Sequence, residues 1–447
     1  MSGDVAAPVS ATRTGVVFGA LLVPSFVALG APSVALPTIA RSLGVAFGAS
    51  SWVLASWALC SAVAMPFFGR LSARVGLRAC VVIGVALVTV GSLGAALAPG
   101  LGVLIAGRAV GGLGAGAMVI SGYATIAARL DGAERGRALA IVAAIGTTAS
   151  ACGTLLGGLL TAWPGWRLVI ALPALGVLVL VPAARLAPTD RDSATRIDPL
   201  GAILLTLLGG AVVVLLQAPS TALPLTVVLA LAAAAVAAVL ALVAHIRRDP
   251  DGFVPRSVVA APYFVATGII GLTVFAAYYG TLFAAPALIE AATRWSPPAI
   301  GAALLPCAAF SVLGARLVRT LAQRASITAV ALCLGAVSTA GVLLAALAPA
   351  QPVLTVLGLA LTTAAFAAGQ TVLFGLVPSL VVQRQQQSAQ GLLDFLIYGG
   401  SSVGPAVVGG LSAALPLADA LAVAAILPLV AITAALLARR SAPASAA

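Results

Sequence analysis

Leu104-Ile-Ala-Gly-Arg108-Ala-Val-Gly111-Gly112-Leu-Gly114-Ala-Gly116 is the stretch on which the reading of this chain turns. It lies within an apolar run, and Arg108 is the only arginine the hydropathy pattern places inside a spanning segment. A guanidinium at that depth costs at least about 2.5–3.5 kcal/mol even with snorkelling, so it must face protein or a wet cavity. Gly107 with Gly111, and Gly112 with Gly116, repeat the small-xxx-small spacing that lets a neighbouring helix backbone come close. A helix that packs tightly and also carries a fixed charge points to a moving, water-penetrated membrane protein rather than a passive anchor.

The rest of the chain agrees. It has 447 residues, 62% of them hydrophobic and 8% charged, with a mean hydropathy of +1.18. Runs of about eighteen or more apolar residues recur along its whole length, which no soluble domain shows. The 23 basic residues are all arginine, against 11 acids, and the net charge is +12. They sit in short loops between apolar runs, so the excess reads as a topology signal and not as a nucleic-acid surface. The first apolar run, Gly15 to Pro37, is too long for a signal-peptide core and is expected to be a retained span. Cys60, Cys80, Cys152, Cys307 and Cys333 fall in or beside apolar runs without paired spacing and read as small buried hydrophobes.

Hydropathy predicts an all-α integral membrane protein of fourteen spans, near 15–38, 51–69, 79–98, 101–127, 137–162, 166–186, 199–217, 222–245, 262–289, 298–319, 326–348, 352–380, 388–412 and 416–438. The arrangement is six, two, six: a tail over 1–14, a six-helix bundle over 15–190, two linking helices with their loops over 191–256, a second six-helix bundle over 257–438 and a tail over 439–447. With the N-terminus inside, only Arg41, Arg167 and Arg294 lie outside and Arg108 lies in the membrane, while every other arginine is cytoplasmic. Both termini are therefore expected in the cytoplasm of a multi-pass cell-membrane protein. Trp52, Trp163, Trp166 and Trp295 fall at the expected outer ends of spans, with Trp57 deeper.

A faint internal repeat is visible. Gly153-Thr-Leu-Leu-Gly157-Gly158-Leu159 in the fifth span echoes Gly404-Pro405-Ala-Val-Val-Gly409-Gly410-Leu411 in the thirteenth. Two repeated halves around a central site are the architecture of alternating-access transporters.

These residues resemble the major facilitator superfamily, in particular its fourteen-span drug:proton antiporter branch. Phe68-Gly69-Arg70-Leu71-Ser72-Ala73-Arg74-Val75-Gly76-Leu77-Arg78 looks like its loop 2–3 signature, and Leu104 to Ala115, with Arg108 and Gly112, like its helix 4 motif. Gly153 to Gly158 is similar to the helix 5 antiporter motif, and Trp166-Arg167 with Leu172-Pro173 to the start of helix 6. Ala35-Leu36-Pro37-Thr38-Ile39 resembles the end of helix 1, and Trp295-Ser296-Pro297 with Gly301 and Pro306 the helix 9–10 turn. The likeness covers essentially the whole chain. It also departs from the pattern: Ala73, Ala28, Ser33, Thr154 and Ile397 stand where an acid, an acid, an asparagine, a proline and an arginine are usual, and Asp394 replaces an asparagine.

Proton-driven alternating access needs a group that titrates as it meets each side, and Asp394, about six residues into the thirteenth span, is the leading candidate. It reads as a proton or cation site, or alternatively as an acid replacing a structural asparagine. The resemblance implies proton exchange for Arg108, while its charge alone would also fit an anionic substrate or a clamp on backbone carbonyls. Glu290 ends the ninth span four residues before Arg294, a spacing that suits an interfacial ion pair. Phe275, Tyr278, Tyr279 and Gln370, with Glu290, are candidate cavity residues. Gly69, Arg70, Arg74, Gly76 and Arg78, with Gly112, Gly153, Gly157, Gly158, Gly404 and Pro405, are candidate gating and conformational positions. His245, the only histidine, reads as an interface residue at a helix end.

The function expected is export of small hydrophobic compounds, neutral or anionic, by proton antiport, as in drug efflux and antibiotic resistance. Uptake by a symporter or uniporter, or a transport-dead scaffold or sensor of the same fold, keeps the architecture and changes the work. An enzyme is not expected, because the chain offers one histidine, no lysine and neither metal-ligand spacing nor a phosphate-cradling loop. The expected partners are the lipid bilayer, protons and a small-molecule substrate, without nucleic acid, metal or cofactor. The protein is expected to be a monomer energised by the proton gradient alone.

Overall fold

The computed structural model describes residues 10–163, 165–190, 198–221, 223–250, 252–322, 327–380 and 386–440. The expected arginines at 191, 196, 324 and 384 fall outside them. The described residues contain no strand, and fourteen of their helical segments are long and apolar enough to cross a membrane. In chain order these are α1 (Ala11–Leu43), α2 (Phe47–Val75), α3 (Leu77–Ala96), α4 (Leu101–Arg129), α5 (Gly132–Ala162), α6 (Trp166–Leu186), α7 (Leu200–Thr221), α8 (Leu225–Arg248), α9 (Phe264–Thr293), α10 (Pro297–Gly314), α11 (Thr328–Leu347), α12 (Pro352–Leu373), α13 (Ala389–Leu411) and α14 (Leu417–Leu436). Every expected span is present. With no water in the hydrocarbon core, backbone groups must pair within the segment, and a helix does this locally.

The ends follow capping chemistry more than hydropathy. α1 starts earlier than its apolar run because the Ser10 hydroxyl accepts from the Arg13 N–H, and it ends where Gly44 turns left-handed at φ 64°. Its interior prolines, Pro24, Pro32 and Pro37, each remove one helical donor. α6 is irregular, with a 3₁₀ segment Leu172–Val179 between two short α-helical pieces. α10 breaks around Pro306, after Leu304, and resumes as a helix over Cys307–Ala322.

Packing displays the repeat that the sequence shows faintly. In the first six spans α1 lies on α5, α2 and α3 on α4, and α3 on α6. In the second six the same relations recur between α9 and α13, α10 and α11 with α12, and α11 and α14. The match extends to single glycines: Gly91 meets Gly107 and Gly111 across α3 and α4, as Gly341 meets Gly358 across α11 and α12. The two groups touch through α5 with α10 and through α2 with α13, again equivalent pairs. α7 and α8 pack on each other, and α7 also lies along α2 and α13.

Because the spans alternate, Arg70, Arg78, Arg129 and Arg185 share one end of the bundle and Arg41, Arg167 and Arg294 the other. At the Arg41 end the groups close tightly. Gly158 of α5 sits against the Pro297 carbonyl, and Gly409 of α13 against Gly48 and Ser51. Towards the Arg70 end α5 and α10 separate. Ala143, Ser150 and Thr154 form one stripe of α5 at about 3.6 residues per turn, and Thr154 is buried against Gly301 whereas Ser150 and Ala143 are exposed. A cleft between α5 and α10 therefore opens at the Arg70 end.

Candidate functional site

Arg108 is fully buried and reaches across three helices. Its Nε donates to the Val53 carbonyl of α2 at 2.8 Å, its Nη2 to the Ala28 carbonyl of α1 at 2.5 Å, and the guanidinium lies 4.4 Å from the centre of the Trp57 ring. Ala28 is the residue whose helical donor would be the N–H four positions on, and position 32 is proline. Arg108 replaces the bond that Pro32 removes. Its Nη1 is buried with no hydrogen-bond partner among the described residues. The glycines beside it set this geometry: Gly107 faces α3, while Gly112 and Gly116 lie against the Trp57 and Ser61 carbonyls of α2, leaving no room for a Cβ.

Asp394 is the one buried acid among the described residues, 8% exposed and near the start of α13. Gln390, Asp394 and Tyr398 recur every four residues and so share a face. The Gln390 amide donates to Asp394 Oδ1 at 2.7 Å. The field of the carboxylate reaches Tyr398 and, across the interface between the two groups, Tyr123 of α4. Tyr123 is 39% exposed, so this polar cluster borders accessible space.

One layer further on is an aromatic nest. Phe366 of α12 stacks on Tyr278 at 4.4 Å between ring centres, lies 4.5 Å from Phe275, and meets Tyr279 edge-on at 5.6 Å. Tyr398 closes on Phe275 at 5.7 Å. The structure thus brings Phe275, Tyr278 and Tyr279 together and joins them to the Asp394 helix through Tyr398. Gln370 stands one turn beyond Phe366, half-buried. Sequence reasoning missed Phe366, Tyr123, Gln390 and Tyr398. Phe366 carried a weak signal, as one of two aromatic residues, with Phe374, in the expected span 352–380.

Glu290 lies apart from this cluster. Its expected partner was Arg294, but Arg294 ends α9 in the left-handed region at φ 57° and offers only its backbone N–H, to the Glu290 carbonyl at 2.8 Å. The carboxylate instead accepts from Arg41 of α1 at 2.7 Å, bridging the two groups at the closed end. Trp166, expected as an interfacial anchor, is buried, with its indole N–H donating to Ser42.

The segment Gly69–Arg78 is not free in solvent. Arg70 donates to the Gly252 carbonyl at 2.6 Å, Arg78 Nε to Ala184 at 2.7 Å, and the Arg78 N–H to the Pro188 carbonyl at 3.1 Å. Gly76 turns at φ 93° against the Thr189 carbonyl, while Arg74 is exposed. Gly153 and Gly157 face α1 at Val27 to Ala31, and Gly404 lies on the Ala276 carbonyl of α9 beside Pro405. His245, expected as an interface residue, is 2.7 Å from Asp198. An apolar groove of about 200 Å³ lined by Val23, Pro24, Leu156 and Pro173 lies between α1, α5 and α6. No ionisable side chain lines it.

The comparisons with known proteins agree with this architecture. A solved structure described as a bacterial homolog of the human lysosomal transporter Spinster superposes with a TM-score of 0.61 at 14% identity, covering 96% of this chain and 97% of that one, which shows the shared fold. Multidrug resistance protein Stp of Mycobacterium tuberculosis is 31% identical over 300 residues, 65% of this chain and 55% of that protein. The methylenomycin A resistance protein of Bacillus subtilis is 29% identical over 65% of this chain and 63% of its own length. Puromycin resistance protein pur8 of Streptomyces alboniger is 29% identical over 64% and 58%. The matched region thus spans about half the length of these relatives or somewhat more. Residues 18–405 match the Major Facilitator Superfamily as a whole, and the chain belongs to that family.

Proposed function

We propose that this protein exports small, largely apolar compounds across the cell membrane in exchange for protons, by alternating access, with both termini and the Arg70 end in the cytoplasm. The observation that carries the reading is Asp394. A carboxylate that is the one buried acid among the described residues, hydrogen-bonded by Gln390 with Tyr123 and Tyr398 in its field, is suited to take up and release a proton as the protein changes state. The resistance and multidrug names of the relatives support the direction and the cargo class.

In the adjoining nest the half-buried Tyr278, Tyr279 and Phe366, packed around a buried Phe275, offer some aromatic surface for apolar cargo. Arg108, enclosed and committed to two backbone carbonyls, does not face the cleft in this state. Its charge therefore gives little reason to prefer anionic cargo, and the proposal narrows to compounds recognised by apolar surface.

The test is transport by purified protein in proteoliposomes with an imposed pH gradient, using a panel of fluorescent apolar compounds. Movement of a compound against its own gradient, abolished by a protonophore, supports the proposal. Equilibration only, with no response to the pH gradient, overturns the coupling. Accumulation in the direction of proton flow means uptake by symport.

A further inference from the structure

Gln217, near the Arg41 end of α7, is the only amide side chain of the α7–α8 hairpin, and it is fully buried. α7 reaches this place by running along the seam between the two groups. Gly209 faces Leu59 of α2 and Phe395 of α13, each 3.4 Å from where a Cβ would stand. One turn further on, Val213 is buried with Ala55 of α2 and Ala406 of α13. At Gln217 the seam is backbone on backbone: Gly410 of α13 lies against the Leu216 carbonyl and the Gln217 Cα, and Gly409 against Ser51.

The amide has one partner there where it needs two. Ser51 Oγ lies 2.8 Å from Gln217 Oε1 and 2.6 Å from the Gly48 carbonyl, but a hydroxyl carries a single proton. Given to Gln217, that proton leaves Nε2 buried with no partner among the described residues. Given to Gly48, it obliges the amide to turn and donate through Nε2, and the amide oxygen is then the unpaired atom. The indole N–H of Trp52, which packs on the same Ala55, Val213 and Ala406, is likewise buried without an acceptor among the described residues. An unpaired buried polar group costs more than a typical hydrogen bond contributes. Closure of the Arg41 end thus carries a penalty in the seam of α2, α7 and α13. The Gly158 and Gly409 contacts and the Arg41–Glu290 pair work against it.

We infer that Gln217 is an opening device: the linking helix α7 carries a half-paired amide into the seam between α2 and α13, and this destabilises closure of the Arg41 end. When α2 leaves α13 there, water reaches the amide and completes its hydrogen bonds. The inference rests on the alternating-access reading above and gives the first linking helix a task in it. Its sign is opposite to that of a simple tie between α7 and α2, for which removing the amide would loosen the closed end.

The experiment is the rate at which Thr161→Cys reacts with a water-soluble maleimide in the full-length chain in lipid nanodiscs, with the five native cysteines replaced. Thr161 is buried in α5 one turn beyond Gly158, on the other seam of the same end, so its reaction reports opening and not local repacking around Gln217. Gln217→Met keeps the length of the side chain without its polar atoms and is expected to slow the reaction about fivefold or more. Gln217→Leu should act in the same direction and serves if Gln217→Met does not fold. Ser51→Ala, which leaves the whole amide unpaired, should speed the reaction, and Arg135→Gln at an exposed site of the opposite end should leave it unchanged. Rates for Gln217→Met and Gln217→Leu at or above that of the wild type overturn the inference and leave Gln217 a tie to Ser51. The readout needs no transport: slower reaction in a protein that exports nothing leaves the device standing, and proton-coupled export with unchanged rates removes the device alone. No reaction in any variant, Gly409→Val included, would mean that this end stays shut, and the alternating-access reading would fall together with the inference.

Discussion

Arg108 donates to the carbonyl of Ala28, the carbonyl that Pro32 deprives of its helical partner. A proline kink in α1 and a charge in α4 are thus two halves of one arrangement. Each is costly alone, the proline through a missing donor and the arginine through burial.

It follows that Arg108→Lys, which keeps the charge and loses the fork, should lower unfolding stability in detergent by about 1–3 kcal/mol, because one buried carbonyl goes unpaired. In a Pro32→Ala background the Ala28 carbonyl regains its own helical donor, and the cost of Arg108→Lys should shrink. A thermal double-mutant cycle checks this. Strictly additive effects would show that the two residues are not coupled.

Asp394→Asn should separate exchange from coupling. The amide keeps the shape and the Gln390 contact but cannot carry a proton as the acid does. Protonophore-sensitive uphill transport is expected to fall at least about tenfold, a loss of about 1.4 kcal/mol or more in driving advantage, while exchange of labelled for unlabelled compound across the same liposomes persists. Full uphill transport in Asp394→Asn would remove Asp394 from the proton path.

Much of this was legible in the sequence, for reasons of solvent. Lipid excludes charge, so a hydropathy scan locates fourteen spans and makes Arg108 and Asp394 conspicuous. What surrounds those charges was not legible. Tyr123 and Asp394 come within electrostatic reach only across the interface between the two groups, and nothing local in either helix encodes that. Glu290 shows the opposite failure, a local pattern that tertiary structure overrides. Arg294 has the right spacing, yet its left-handed backbone ends the helix and the carboxylate is taken by Arg41, 249 residues away. Such an exposed pair contributes about 0–1 kcal/mol, too little to be read from spacing in either case.

Gly158 and Gly409 should behave as equivalents. Each lets α5 or α13 lie directly on the first residues of the second span of the opposite group, Pro297 of α10 in one case and Gly48 with Ser51 of α2 in the other. Gly158→Val or Gly409→Val would drive a side chain into backbone at the closed end. Both are expected to favour opening there: a cysteine placed at Pro298 should react with a membrane-impermeant maleimide several-fold faster, a shift of about 1 kcal/mol in the equilibrium. An unchanged rate in both variants would mean that this end does not close through these contacts.

Asp198 makes a prediction about pH. Burial alone would raise its pKa, but the N–H groups of Gly201 and Phe253 and the His245 ring hold it below its ordinary value of 3.8. A carboxyl depressed in the folded state contributes stability above the unfolded pKa and loses it as pH falls through the folded one. The hairpin should therefore gain the full contribution of Asp198 between about pH 5 and 8. Asp198→Asn should melt lower than wild type by a nearly constant margin across that range, and the two should converge only below about pH 4. Melting curves of both proteins in the same detergent over that interval give the comparison. A margin that instead vanished within that range would mean that the carboxylate capping α7 is not what stabilises the hairpin.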